Sequence, residues 1–199
     1  MKIAIFGGSF NPIHLGHIKL VKCAVEIASL DKVLLIPTGI TPHKSNREMV
    51  SSQHRLEMCK IAVSSYDNIE VSSIEINREG KSYTYQTLNS LKEIYPYDEF
   101  YIIMGSDMYL SLHTWKNADS FLKNLNVISD LRNGADLKEM ENQSQILHEY
   151  GAKSYFINHS VMTVSSTEIR NRLKNNQDVS DLLDCKVLEY IKTHHLYGM

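Results

Sequence analysis

Hydrophobic and polar positions along the chain follow two alternating patterns. Short apolar runs rich in β-branched residues predict buried strands, and segments with apolar residues at helical spacing predict helices. Strands that alternate with helices predict an α/β fold, doubly wound, with a mainly parallel sheet of about five or six strands and right-handed crossovers. The predicted strands are Lys2–Phe6, Lys32–Ile36, Ile69–Ile76, Phe100–Met104, Asn126–Ser129 and Ser154–Ile157. The predicted helices are Leu15–Ser29, Gln53–Ser65 and Thr84–Tyr95, with two more in the tail Ser165–Met199.

Length and composition then limit the class of protein. The 199 residues are 43% hydrophobic and 22% charged, with a net charge of -2, which is ordinary for a globular domain and gives no reason to expect a nucleic-acid partner. No apolar run is long enough to span a membrane, and the first strand begins too early for a signal peptide, so we expect a cytoplasmic protein without membrane contact. The three cysteines form no C-x-x-C pair, which argues against a zinc knuckle or a disulfide framework. We expect one structural unit, with an α/β nucleotide-binding domain over 1–164 and a helical C-terminal extension over 165–199 packed on it.

The turn between the first strand and the first helix has the composition of a phosphate-binding site. It reads Gly7-Gly8-Ser-Phe-Asn-Pro-Ile-His14-Leu-Gly16-His17. Glycines allow a ligand to approach the backbone closely, and a helix N-terminus favours phosphate. His14 and His17 are three residues apart and therefore share one face of the first helical turn. Taken alone, the two histidines also fit surface polar residues or a metal pair, although the nearby sequence offers no further metal ligands.

The same turn does not match the dinucleotide-binding pattern of dehydrogenases. That pattern, G-x-G-x-x-G, fails because Gly7 and Gly8 are adjacent. The second strand ends in Pro37-Thr38-Gly39, where a ribose-binding carboxylate would be needed. The P-loop pattern G-x-x-x-x-G-K-[ST] is absent as well. A dehydrogenase is therefore disfavoured.

On these residues, the segment from Gly7 to His17 resembles the signature of the nucleotidyltransferases with an H-x-G-H motif. It most resembles the bacterial nicotinate mononucleotide adenylyltransferase family. The resemblance implies a Rossmann-like fold and transfer of the adenylyl group of ATP to nicotinate mononucleotide, which gives nicotinate adenine dinucleotide and pyrophosphate in NAD biosynthesis. It implies that His17, assisted by His14, contacts the α-phosphate. The ATP-binding residues that it implies in this turn are Gly7, Gly8, Ser9, Phe10 and Gly16.

Two further segments match the phosphate-binding part of the same family. Pro42-His43-Lys44 matches its P-H-K segment, and Lys44 would be a flexible point charge for the polyphosphate. The segment from Val164 to Arg170 is similar to I-S-S-T-x-I-R. Its Ser165 and Glu168 form a capping-box pattern, which by itself indicates only the start of a helix. The resemblance adds Arg170 as a catalytic residue beside Lys44, and Ser165, Ser166 and Thr167 as ATP-binding residues.

The acceptor side rests mainly on the resemblance. The segment from Arg78 to Leu88 resembles R-x-G-x-S-Y-T-x-x-T-L and would open a helix whose backbone N–H groups could hold a carboxylate. The resemblance implies that Thr84 and Tyr85 bind the acceptor there, together with Gly105, Asp107 and Trp115. A lone tryptophan is more often a core residue than a stacking platform. The acceptor phosphate is already anionic, so no general base is expected, and Mg²⁺ would arrive with ATP without protein ligands.

Other interpretations stay open at this point. The chain could be another H-x-G-H nucleotidyltransferase, acting as a pantetheine-phosphate adenylyltransferase or a cytidylyltransferase, or a nucleotide-sensing module without catalysis. The preference between nicotinate and nicotinamide mononucleotide is open. The oligomeric state is open as well, and a homo-oligomer is one of the alternatives. Arg47 and Arg132 have no assigned role, and Arg55 is expected on a helix surface or in a structural ion pair.

Overall fold

The computed structural model describes residues 1–39, 49–131, 137–157 and 164–199. Within these residues the six strands form a single sheet in the order β3-β2-β1-β4-β5-β6, and every neighbouring pair is parallel. The strands are β1 Lys2–Gly8, β2 Lys32–Pro37, β3 Ile69–Val71, β4 Glu99–Met104, β5 Asn126–Asp130 and β6 Lys153–Ile157. The α-helices are α1 Leu15–Ala28, α2 Ser52–Val63, α3 Thr84–Ile94, α4 Ser106–Ser111, α5 Ala118–Phe121, α6 Leu137–Glu149, α7 Ser166–Lys174 and α8 Cys185–Thr193. The predicted Rossmann-like α/β fold is confirmed, and the pairing is parallel throughout the described sheet.

Helices cover both faces of the sheet, which explains why the central strands are apolar at nearly every position. Successive side chains of a strand point to opposite faces. Ala4 and Phe6 of β1 accordingly belong to a core cluster that includes apolar residues of α1, α2, α7 and α8. Ile3 and Ile5 belong to a second cluster on the other face, shared with α3, α4 and α6. This is the doubly wound arrangement that the sequence predicts.

The C-terminal helices α7 and α8 pack on the same face as α1 and α2. Ile169 and Leu173 of α7 and Val187 and Ile191 of α8 are buried in the first cluster. The backbone N–H of Leu15 also donates to the carbonyl of Leu182 at 3.0 Å. The division into 1–164 and 165–199 stays a prediction, although these contacts describe how the tail meets the sheet domain. No helix within the described residues is both long and apolar enough to cross a membrane.

The structure differs from the sequence pattern at the third strand. The pattern predicts a strand over Ile69–Ile76, but β3 ends at Val71. After Ser72 donates to the carbonyl of Leu35 at 2.9 Å, the chain turns, and Asn77 N–H bonds the carbonyl of Ser73 at 2.9 Å. The apolar residues that follow therefore extend no ladder. Helices α4, α5 and α6 have no counterpart among the predicted elements.

The order of the strands creates a crevice where the candidate site should lie. From β1 the chain proceeds to β2 and β3 on one side, and β4 to β6 continue on the other side. The connections that leave β1 and β4 therefore diverge, and this switch point is where open parallel sheets bind ligands. The first turn follows β1, and Gly105 with Asp107 follows β4.

Candidate active site

The first turn is shaped by the ring of Phe10. Phe10 has a φ of 43°, in the left-handed region, and is 1% exposed. Its ring meets Phe6 and His17 edge-on, with centroid separations of 5.4 and 5.1 Å. A Cβ at Gly8 would lie 3.0 Å from this ring, whereas a Cβ at Gly7 would meet none of the described residues within 4 Å. Gly8 is thus required by the packing of Phe10, and Gly7 leaves open space next to the turn.

His14 and His17 hold each other at the start of α1. His14 is the N-cap, and its Nδ1 accepts from the N–H of His17 at 3.4 Å. In return, Nδ1 of His17 accepts from the N–H of His14 at 3.2 Å, and the two rings stack with centroids 3.6 Å apart. Because Nδ1 accepts in both residues, a neutral imidazole must carry its proton on Nε2. Both histidines therefore present an Nε2–H donor beside a helix N-terminus.

The start of α7 lies directly against the first turn. Ser166 Oγ donates to the carbonyl of Pro12 at 2.9 Å, and Arg170 Nη1 donates to the carbonyl of Asn11 at 2.9 Å. The second amino group of Arg170 binds Thr167 Oγ1 at 3.2 Å. Residues 154 and 159 positions apart in the sequence are therefore in contact, and the start of α7 lies beside the first turn.

The N-terminal cap of α7 forms only in part. Ser165 Oγ accepts from the N–H of Glu168 at 3.1 Å, as the capping-box pattern predicts. The carboxylate of Glu168, however, accepts from Arg172 Nη2 at 2.6 Å, one helical turn further on. An ion pair with Arg172 replaces the second half of the box, because arginine is a stronger partner for a carboxylate than a backbone N–H.

The side chain of Asn11 joins the first turn to the end of the chain. Its Oδ1 accepts from the hydroxyl of Tyr197 at 2.9 Å and from the N–H of Val50 at 3.3 Å. Tyr197 has a φ of 61°, an unusual conformation for a residue with a side chain, and burial raises its pKa. The sequence carries no local signal for this contact, since its two partners lie at opposite ends of the chain.

The expectation for Arg55 was wrong. Arg55 is 1% exposed and donates to backbone carbonyls, including Ser9 at 2.8 Å and Thr38 at 2.6 Å. It is neither on a helix surface nor in an ion pair within the described residues. The helical spacing could have indicated the burial of Arg55, because Arg55, Cys59 and Ala62 share one buried face of α2.

The start of α3 is open at its N-terminus. Tyr83 is the N-cap and makes no side-chain capping bond, while Thr84 and Tyr85 are half-buried. Lys116 Nζ lies 4.4 Å from the centroid of the Tyr83 ring, which adds positive charge beside this helix start. The helix therefore begins where the sequence predicts and offers backbone N–H groups in a positive environment.

A buried carboxylate supports the start of α3. Glu75 Oε1 accepts from the hydroxyl of Thr87 at 2.8 Å, and the hydroxyl of Thr87 in turn accepts from Arg78 Nη1 at 3.0 Å. Burial raises the pKa of Glu75, against the opposing effects of the Thr87 hydroxyl and the charge of Arg78. The acceptor segment thus rests on a polar network that the sequence pattern did not reveal.

The third group of predicted residues follows β4. Gly105 is the N-cap of α4, and Asp107 is exposed in the first turn of that helix. The N–H of Ser106 donates to Oδ1 of Asp130 at 2.9 Å, and Asp130 is fully buried at the end of β5. Asp130 therefore orients α4, a role that the sequence analysis missed.

Trp115 has both a core contact and a polar contact. It packs against the second hydrophobic cluster, and its Nε1–H donates to Ser111 Oγ at 3.4 Å. Core packing is therefore part of its role, and stacking on a ligand ring stays a prediction.

Five residues named in the sequence analysis lie outside the described residues: Pro42, His43, Lys44, Arg47 and Arg132.

The starts of α1, α3, α4 and α7 all fall in the part of the chain that matches a known family model. Residues 5–172 match the model described as cytidylyltransferase-like, which covers most of the chain. The chain therefore belongs to the cytidylyltransferase-like class of nucleotidyltransferases.

Relatives define the family more narrowly. The chain is 41% identical to a protein of Fusobacterium nucleatum over 98% of this chain and 100% of that protein. It is 39% identical to a protein of Carboxydothermus hydrogenoformans over 98% of each chain. Both carry the name "Probable nicotinate-nucleotide adenylyltransferase". The chain is accordingly a member of the nicotinate-nucleotide adenylyltransferase family, and it is an enzyme.

A solved structure supports the fold independently. Nicotinic acid mononucleotide adenylyltransferase of Plasmodium falciparum, complexed with NaAD, superimposes with a TM-score of 0.80 at 22% identity. The alignment covers 98% of this chain and 97% of that one. At this identity the likeness speaks for the fold, which agrees with the six-stranded parallel sheet described above.

Proposed function

We propose that the chain transfers the adenylyl group of ATP to nicotinate mononucleotide in the cytoplasm, which yields nicotinate adenine dinucleotide and pyrophosphate for NAD biosynthesis. The observation that carries this proposal is the reciprocally bonded pair of His14 and His17 at the switch point of the sheet. Membership of the nicotinate-nucleotide adenylyltransferase family supports the choice of substrates.

The chemistry asks little of the protein beyond positioning and charge stabilisation. A 5′-phosphate oxygen of the acceptor attacks the α-phosphorus of ATP and forms a new P–O bond. The bond between the α-phosphorus and its bridging oxygen breaks, and the electron pair leaves with pyrophosphate. Because the attacking phosphate is anionic at neutral pH, no side chain has to remove a proton. Catalysis then comes from donors aimed at the charge that develops in the transition state.

His17 and His14 are the donors that we assign to the α-phosphate. Their Nδ1 atoms accept backbone hydrogen bonds, so a neutral ring carries its proton on Nε2, and donation from Nε2 requires no change of tautomer. The positive end of the α1 dipole supports the same charge, and α1 has no acidic residue in its first turn. The backbone of Gly7, Gly8, Ser9, Phe10 and Gly16 would line the nucleotide beside them.

The leaving pyrophosphate would be received by the start of α7. Ser165, Ser166 and Thr167 lie at its N-terminus, and Arg170 adds a permanent positive charge. The bonds of Ser166 and Arg170 to the first turn support this placement, because they keep the two phosphate-binding segments in contact. We assign Lys44 to the same phosphates from its match to the P-H-K segment.

The acceptor would lie at the starts of α3 and α4. The uncapped N-terminus at Thr84 and Tyr85, beside Lys116 and Tyr83, suits the extra carboxylate of nicotinate. We assign Gly105 and Asp107 to the ribose, and the face of Trp115 to the pyridine ring. This arrangement favours nicotinate over nicotinamide mononucleotide, since only the former carries the carboxylate.

The metal in this proposal is Mg²⁺ bound to ATP. Among the described residues, no three histidine, cysteine, aspartate or glutamate side chains come together to hold an ion. We assign the ion to phosphate oxygens and water, which is the usual manner of Mg²⁺ in nucleotide enzymes. The ion would offset negative charge on the phosphates, and the protein residues above would orient them.

The proposal is tested by offering acceptors separately. Purified enzyme is incubated with ATP and Mg²⁺ plus nicotinate mononucleotide, nicotinamide mononucleotide or phosphopantetheine, and pyrophosphate release is followed. Release that is fastest with nicotinate mononucleotide is expected. Preference for phosphopantetheine would assign the chain to another branch of the class, and no release with any acceptor would favour a sensor.

A further inference from the structure

One buried cation of the structure takes no part in the mechanism above. The guanidinium of Arg55 connects three separate segments through their backbone carbonyls. Nη1 donates to Ser9 at 2.8 Å, Nη2 donates to Thr38 at 2.6 Å and more weakly to Gly39 at 3.4 Å, and Nε donates to Val50 at 3.4 Å. Ser9 belongs to the first turn, and Thr38 directly follows β2.

The charge of Arg55 is unusual because it is buried without a carboxylate partner among the described residues. Within the described residues its polar contacts are carbonyl oxygens, and it forms no ion pair there. Burial lowers the pKa of Arg55, and the nearby groups that oppose this effect are Cys59 and Tyr197. Burying a cation is costly even when its N–H groups are hydrogen-bonded, and a nearby anion would offset part of that cost.

The contact with Ser9 also controls the next peptide group. The only cis peptide bond in the described residues is Asn11–Pro12, so the Ser9–Phe10 peptide is trans, and its carbonyl and N–H point in opposite directions. Arg55 holds the Ser9 carbonyl and thereby directs the N–H of Phe10 away from itself. Within the described part of the chain, that N–H has no hydrogen-bond acceptor. Backbone N–H groups that are buried without a partner are rare in proteins.

We infer that Arg55 is a positioning residue for the phosphates of ATP: its guanidinium fixes the Ser9–Phe10 peptide so that the Phe10 N–H faces the nucleotide, and its charge is balanced when the polyphosphate binds. The inference rests on the proposed adenylyl transfer. Arg55 touches neither substrate in this account and acts through the first turn and the end of β2.

The test compares three variants. Arg55→Met keeps the approximate volume and removes the charge and every donor, and Arg55→Lys keeps the charge but not the planar fork. Met58→Ala is the matched control, because Met58 lies on the same buried face of α2, is 0% exposed and is apolar. For each variant, kcat and KM for both substrates are measured well below its unfolding midpoint, together with the rise in midpoint caused by Mg-ATP and by nicotinate mononucleotide.

We expect Arg55→Met to lower kcat/KM for ATP by about 100-fold, since small misplacements of a positioning group cost that much. Its midpoint rise with Mg-ATP should be lost while the rise with nicotinate mononucleotide remains. Arg55→Lys should recover much of the ATP affinity but not kcat, because one ammonium cannot hold both carbonyls. Met58→Ala should unfold at a lower temperature yet keep kcat and KM.

Three outcomes would overturn the inference. They are a loss below about tenfold in Arg55→Met, an equal loss in Met58→Ala, or an unchanged kcat in Arg55→Lys. If Arg55→Met does not fold, the kcat of Arg55→Lys decides whether the inference stands. A wild-type enzyme that releases no pyrophosphate would instead refute the proposed function, and the Mg-ATP midpoint shifts would still test Arg55.

Discussion

The two adjacent glycines of the first turn should respond oppositely to the same substitution. In Gly8→Ala the new methyl group would lie 3.0 to 3.3 Å from three atoms of the Phe10 ring. Carbon atoms prefer about 3.5 to 4.0 Å, so either the ring or the turn must move. The ring cannot move freely, because Phe10 is 1% exposed and contacts both Phe6 and His17. In Gly7→Ala the methyl group meets no atom within 4 Å in the part of the chain that the structure describes.

The magnitudes follow from these contacts. Overpacking of this kind costs about 1–3 kcal/mol. Replacing glycine by alanine at a compatible backbone recovers about 0.4–1 kcal/mol from the unfolded chain. Gly8→Ala should therefore lose about 1–2 kcal/mol, and Gly7→Ala should gain about 0.4–1 kcal/mol. For a chain of this size, each kcal/mol moves Tm by about 2–4 °C.

Thermal unfolding without ligand measures this difference, and steady-state kinetics with ATP add a second readout. Gly8→Ala should lower Tm and kcat together, because moving Phe10 disturbs His17. Gly7→Ala should raise Tm slightly but also raise KM for ATP, because the space beside Gly7 is assigned to the nucleotide. If Gly8→Ala is as stable as Gly7→Ala, the reasoning about Phe10 is refuted.

Two further predictions concern stability. Tyr197→Phe removes the hydroxyl bound to Asn11 and should lower the free energy of unfolding in urea by about 0.5–1.5 kcal/mol. The control Tyr97→Phe changes a side chain that is 98% exposed and should leave the free energy of unfolding unchanged. Equal effects of the two substitutions would contradict the buried hydrogen bond. Because the pKa of Glu75 is raised above its ordinary value of 4.5, its protonated form favours the folded state, and the stabilisation is lost as pH rises from 4.5 through the raised pKa. The unfolding free energy of the wild type relative to Glu75→Gln should therefore fall with rising pH over that window, and a rise would show that the direction is wrong.

The continuous parts of the site could be predicted from the sequence. Gly7 to His17 is one uninterrupted segment, so its spacing alone places two histidines on the first turn of a helix. The start of α7 was predicted for the same reason, from Ser165 and its neighbours. Local patterns of this kind depend on residues a few positions apart, and the sequence displays these directly.

The parts that depend on distant contacts could not be predicted. Asp130 reaches the N–H of Ser106 only because β4 and β5 are neighbours in the sheet. Tyr197 reaches Asn11 only because the tail packs on α1 and α2. The early end of β3 likewise reflects its place at the sheet edge, where one neighbour alone supports the ladder.

Tertiary contacts also changed the meaning of charged residues. Arg55 looks like an ordinary helix cation, and Glu168 looks like half of a capping box. In the fold, Arg55 is buried under the first turn, while Glu168 pairs with Arg172. In both cases the role of the charged residue depends on the partner that the fold brings close, and that partner is not evident from the sequence.

In the proposed mechanism, His17 stabilises the transition state of adenylyl transfer. The most direct measurement is pyrophosphate release from ATP and nicotinate mononucleotide by His17→Ala, with His148→Ala as the control at an exposed position near the end of α6. Loss of one such donor should lower kcat by about 100- to 1,000-fold with little change in KM for ATP, and the control should match the wild type. Near-normal turnover in His17→Ala would contradict the account.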